Sequence, residues 1–161
     1  MPDWSTLDLA GLRRWAERFP EKVNEGRRYP YSDRTGNTIL QHAVVRNEEV
    51  LEELLAFVKW LIDERGADLR IRHGDRQSPL CSACFPGLVG LLLDRGADPQ
   101  ALERDWWTPL MGHAYYLRVA SVRRLLEECE GSCHGERAGA GQTRGNVARV
   151  HGVACYLGNA F

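Results

Sequence analysis

Three short segments of this chain repeat one another, and a repeat of that kind constrains a fold more tightly than composition does. Asn37-Thr38-Ile39-Leu40-Gln41-His42-Ala43, Gln77-Ser78-Pro79-Leu80-Cys81-Ser82-Ala83 and Trp107-Thr108-Pro109-Leu110-Met111-Gly112-His113-Ala114 align on their hydroxyl residue. Each is followed by an apolar stretch: Trp60-Leu61-Ile62, Leu91-Leu92-Leu93 and Val122-Arg123-Arg124-Leu125-Leu126. The first two stretches run into Arg-Gly-Ala-Asp at Arg65–Asp68 and Arg95–Asp98. The anchors Thr38, Ser78 and Thr108 are 40 and 30 residues apart. Thr or Ser followed by Pro reads as an N-cap with Pro at the first helical position, where its missing N–H costs nothing. Gly66 and Gly96 read as the left-handed residues that stop a second helix. One such helix pair cannot bury its own apolar side, so stacked neighbours bury it jointly.

These residues resemble the ankyrin repeat family, whose signature is Thr-Pro-Leu-His-x-Ala, then an apolar helix and Gly-Ala-Asp. The family's period is about 33 residues, so the first unit here is longer and the second shorter. The resemblance implies an all-α fold: a right-handed solenoid of about three helix-turn-helix units carrying short β-turn fingers. An N-terminal half-repeat cap is expected over 1–36, with repeats over 37–76, 77–106 and 107–130. In the cap, Leu9, Leu12, Trp15, Ala16 and Phe19 form a helical stripe between Leu7 and Asn24. Residues 131–148 read as a glycine-rich loop, and 149–161 as a degenerate C-terminal cap or truncated repeat. The family's asparagine hydroxylation site, just after Gly-Ala-Asp-Val, is filled here by Arg70 and Gln100 and is not carried over to them; Asn24 is the comparable candidate.

Composition narrows the function classes. A chain of 161 residues, 43% hydrophobic and 27% charged, fits one soluble domain rather than a disordered segment. A formal net charge of -1 argues against nucleic acid or an anionic membrane as partner. A spanning helix needs about 18 apolar residues, and the longest apolar run is interrupted by Lys59. Met1-Pro2-Asp3-Trp4 opens without a basic-then-apolar signal segment. Five cysteines, an odd count at uneven spacing, imply reduced thiols and a cytoplasmic or nuclear setting.

Several constellations invite chemistry and have simpler readings. Cys81 with Cys84, and Cys129-x3-Cys133-His134, could share a zinc ion, but the second spacing is loose and 44 residues separate the pairs. The repeat register instead packs Cys81 and Cys84 in one helix at small-residue positions. Cys84 or Cys155 could pair with His42 or His113 as a nucleophile, yet helical repeats offer no strand-to-helix elbow or oxyanion donor. His113 stands where the family has Ala and reads as a partly buried histidine bonded to a neighbouring loop. No phosphate-binding glycine motif occurs. The chain therefore reads as a non-enzyme without cofactor or metal.

The candidate partner-binding residues are Arg72, His73, Arg104, Trp106, Met111, Tyr115 and Tyr116. Trp107 takes a place where the family packs Trp against the stack. Trp106 replaces the turn glycine and should project from the finger. Tyr115 and Tyr116 fall in the first helix of the third unit, one of them packing against its own second helix and the other open. The implied function is binding of a protein partner by a monomer, through its concave face and finger tips. The alternative is a regulatory or targeting segment of a larger enzyme or channel, motivated by the abrupt end after Gly158-Asn159-Ala160-Phe161.

Overall fold

The computed structural model describes residues 8–26, 36–45, 51–72, 77–103 and 107–133, side chains of 129–133 excepted. Its helices are α1 (Leu9–Arg18), followed by a 3-10 turn at Pro20–Lys22, then α2 (Ile39–Val44), α3 (Leu51–Asp63), α4 (Pro79–Ser82), α5 (Pro86–Asp94), α6 (Pro109–Tyr115) and α7 (Val119–Cys133). Among the described residues there is no strand and the regular elements are helices, consistent with an all-α fold.

Each short helix begins at a repeated hydroxyl. Thr38 Oγ1 accepts from Gln41 N–H (3.2 Å), Ser78 Oγ from Cys81 N–H (3.4 Å) and Thr108 Oγ1 from Met111 N–H (3.3 Å). Pro79 and Pro109 occupy the first helical position, as their fixed φ favours. At α2, Gln41 Oε1 accepts in return from Thr38 N–H (2.9 Å), which closes a capping box. At α4 the equivalent residue is Cys81, which offers no such acceptor. Glu103 replaces it from the next loop, its Oε2 accepting from Ser78 N–H at 2.9 Å. Gln41 also donates to the carbonyls of Ile71 (3.0 Å) and Gln77 (2.8 Å), so the first unit ties down the loop that leads to the second.

The short helices pack in the order α2, α4, α6, and the long ones in the order α1, α3, α5, α7, with α2 on α3, α4 on α5 and α6 on α7. The apolar stripes of the long helices meet along this row: Leu12 and Trp15, Leu54 and Leu61, Leu88 and Leu92, then Val122 and Leu125, all buried. Each leucine buried in this way contributes about 1.5–3 kcal/mol. Gly96, at φ +84°, ends α5: Ala97 N–H reaches Leu92 O (3.0 Å) and Gly96 N–H reaches Leu93 O (2.9 Å). Gly66, at φ +65°, follows α3 in the same way, with Ala67 N–H on Leu61 O (3.0 Å). Ion pairs repeat along the row too. Arg95 grips Asp63 through two 2.8 Å hydrogen bonds, which hold the Asp63 carboxyl below its ordinary range, and Arg124 reaches Asp94 at 3.3 Å.

Some expectations change. Cys84 is not in a helix with Cys81, because α4 is a single turn. Pro86 opens α5 and forces Phe85 before it into extended backbone (ψ 144°), leaving three residues between the helices. Cys84 N–H instead donates to Val44 O (3.2 Å) at the end of α2. The stretch expected as a loop from residue 131 begins as helix, since α7 continues to Cys133. A glycine costs a helix about 1 kcal/mol and does not by itself end one. The extra length of the first unit falls partly in α3, from Leu51 onward; residues 46–50 are outside the described set. Asn24 clips the first helix to the loop after α3, donating to Gly66 O (2.9 Å) and accepting from Asp68 N–H (2.8 Å). Both ends of its amide are thereby engaged.

Candidate protein-binding surface

The turn between α6 and α7 is built of apolar residues where water is available. Tyr115 is 68% exposed, Tyr116 59%, Leu117 70% and Val119 44%. Four of the six large apolar side chains exposed among the described residues thus lie within five positions. Scattered exposed apolar groups are normal, but a contiguous group marks an interaction site. The rings are ordered edge to face: Trp107 and Tyr115 centroids stand 5.2 Å apart, as do those of Tyr115 and Tyr116. Half-buried Trp107 therefore extends the aromatic row from the start of α6 to its end.

Arg118 bolts this turn to the preceding unit. Its Nη1 donates to Ala83 O (2.8 Å), its Nη2 lies 3.6 Å from Cys84 Sγ, and its guanidinium covers the Tyr116 ring at 5.0 Å. Leu117 is held at φ 55°, in the left-handed region, the one non-glycine residue so placed among those described. A side chain there costs about 1–2 kcal/mol relative to the ordinary helical region. Leu117 gains little from burial in return, being the most exposed of the group.

Below the turn, α4 and α6 approach closely. A Cβ on Gly112 would stand 2.9 Å from Cys81 Sγ. His113 is fully buried, and its Nε2–H donates to Leu80 O (3.0 Å). Its Nδ1 is buried without a hydrogen-bond partner. Burial lowers the imidazole pKa, and burial likewise pushes the Cys81 thiol up to about 11, so both groups are neutral near pH 7. The expected histidine bond exists, but to a helix carbonyl rather than a loop, and His113 is wholly rather than partly buried. Among the described residues no group of three or more His, Cys, Asp or Glu side chains could hold a metal ion. His134 and Cys155, and the side chains of Cys129 and Cys133, lie outside that set.

Of the partner-binding residues read from sequence, His73, Arg104 and Trp106 lie outside the described residues. Tyr115 and Tyr116 come together and, contrary to expectation, neither packs into the stack, because α6 ends at Tyr115 and the chain turns away. Met111 is half-buried in the first turn of α6. Arg72 is apart from this group. Its Nε lies 3.7 Å from Glu103 Oε2, beside a hollow of about 330 Å³ between the two loops that follow α3 and α5. Leu117, Arg118 and Val119 were missed by the sequence reading. The available signal was Tyr115-Tyr116-Leu117-Arg118-Val119 crossing a helix–helix turn without Gly, Pro, Asn, Asp or Ser.

Among the described residues no helix is long and apolar enough to cross a membrane. The sequence matches no protein-family model, and no curated protein matches it.

Proposed function

We propose that this chain is an ankyrin-type repeat module that binds a partner protein, with Tyr115, Tyr116, Leu117 and Val119 as its anchors. The repeat reading is supported by three hydroxyl N-caps at corresponding places, two glycine-stopped helices and two parallel orders of helix contacts. The binding reading is carried by one observation: four large apolar side chains stand exposed together on a turn that Arg118 fixes to its neighbour. Tyrosine offers wide amphipathic area at small conformational cost, and a rigid frame lowers the entropy lost on association. On this reading the contact lies at the tip of the third helix pair as well as along the face that begins at Trp107.

The test compares the full chain with a Tyr115→Ser/Tyr116→Ser variant as immobilised bait in native lysate. Proteins held by the parent and lost by the variant, at an unchanged melting temperature, are the expected result. Equal capture by both baits refutes the assignment of this surface.

A further inference from the structure

The exposed turn sits in a stretch of chain whose charge has one sign. From Trp106 to Leu126 there are three arginines and no carboxylate. Arg124 is neutralised by Asp94 of α5 and by Glu127 and Glu128 of its own helix. Arg118 donates to the Ala83 carbonyl and lies against the Cys84 sulfur and the Tyr116 ring, with no carboxylate paired to it among the described residues. Arg123 is exposed, has no ion pair among the described residues, and lies one helical turn from Val119 on the same face of α7. The adjoining Ala83-Cys84-Phe85 link brings no charge. Helix α7 adds to the imbalance. It begins directly after Arg118, a residue with no acceptor, and its first turn contains no acid. The positive end of its peptide dipoles therefore opens at the patch.

We infer that the segment docking here is an acidic, apolar-anchored peptide of a partner protein. One or two large apolar side chains seat on Tyr115, Tyr116 and Leu117, and carboxylates face Arg118 and Arg123. This rests on the protein-binding reading above and names its partner's chemistry. The chain's own residues 134–161 are a poor occupant, with three arginines against one glutamate. A second copy meeting the patch about a two-fold axis would set Arg118 and Arg123 against their like.

Random dodecapeptides displayed on phage and selected on the immobilised full chain test this, with affinities of the recovered peptides then read by fluorescence anisotropy. Recovered peptides are expected to be rich in Asp or Glu beside Leu, Phe or Trp, and to lose binding to Tyr115→Ser/Tyr116→Ser. Arg123→Glu, at an exposed site, should weaken them about two- to fivefold or more, the range an exposed ion pair supplies. Peptides with Lys in place of each acid should prefer that variant to the parent. Recovery of neutral or basic peptides that still need the tyrosines overturns the acidic partner and leaves the binding surface standing. If no peptide depends on the tyrosines, both readings fall. Concentration-dependent self-association lost in Tyr116→Ser gives the patch to a second copy and overturns the inference.

Discussion

Replacing glycine by alanine in this chain should change sign with what the new Cβ meets. At Gly90, in the middle of α5, the nearest atom is Arg124 Nε at 3.7 Å, an ordinary contact. The substitution there should stabilise by about 0.5–1 kcal/mol, since alanine gives up less backbone freedom on folding. Gly112 occupies the same kind of position in α6, but its Cβ would lie 2.9 Å from Cys81 Sγ. That sulfur belongs to a buried side chain on a one-turn helix fixed by Ser78 and Pro79. Overpacking of this sort costs about 1–3 kcal/mol, so Gly112→Ala alone should come out neutral to destabilising by about 2 kcal/mol. In a Cys81→Ala background the obstacle is gone, and the same change should stabilise by up to about 1 kcal/mol. The coupling between the two sites is then about 1–3 kcal/mol, favourable to the double variant. Urea unfolding of the four proteins measures it from midpoints, provided the m-values agree. Additivity within about 0.5 kcal/mol, or a Gly112→Ala as stabilising as Gly90→Ala, refutes the close approach of α4 to α6. The side-by-side order of the short helices would be refuted with it.

Three further outcomes are expected. Leu92→Ala, at a fully buried position between long helices, should lower stability by about 2–5 kcal/mol in the same assay; a change within about 0.5 kcal/mol contradicts the packing described. Leu117→Gly should raise stability by about 0.5–1 kcal/mol by relieving its left-handed backbone, while weakening any partner captured through the tyrosines; intact capture removes Leu117 from the anchors. His113 has its pKa lowered in the fold, so the unfolded chain takes up the proton first, near pH 6.5. Its contribution is complete above that pH and is lost as pH falls through and below it, toward the folded value. Urea midpoints between about pH 7 and 5.5 should therefore drop less steeply in His113→Gln, and an equal slope in both proteins assigns the effect to other groups.

The elements that were legible in the sequence are those with a local cause. Thr38, Ser78 and Thr108 announce their helices because a hydroxyl accepting from the third amide is a short-range device. Gly66 and Gly96 announce helix ends for the same reason, a backbone conformation that glycine tolerates best. The one-turn length of α4 was also written in the chain, in Pro86. Its restraint on Phe85 was missed because the repeat register was carried through to Cys84. Glu103 as the cap of α4 was not legible at all. It acts on Ser78 from 25 residues away, and no local pattern says that a loop carboxylate will supply what Cys81 lacks. The orientation of the tyrosines failed for a different reason. Two adjacent residues in a continuing helix point about 100° apart, so one faces inward. Here the helix stops at Tyr115, and both rings are released outward.

That release makes the exposed surface more than a frayed end. A loose turn would shed its apolar side chains into solvent at little cost and offer a partner nothing ordered to hold. This turn is tied by Arg118 to the Ala83 carbonyl, by two edge-to-face ring contacts, and by Arg118 N–H on His113 O (3.0 Å), directly behind the buried imidazole. The His113 ring is in turn bound to α4 through Leu80. The conformational freedom that association would otherwise remove is thus already lost in folding. Left-handed Leu117 fits the same account, since a glycine would relax the backbone but present no side chain. On the proposed protein-binding reading, a position that accepts strain to keep a leucine in water supplies the side chain a partner would touch.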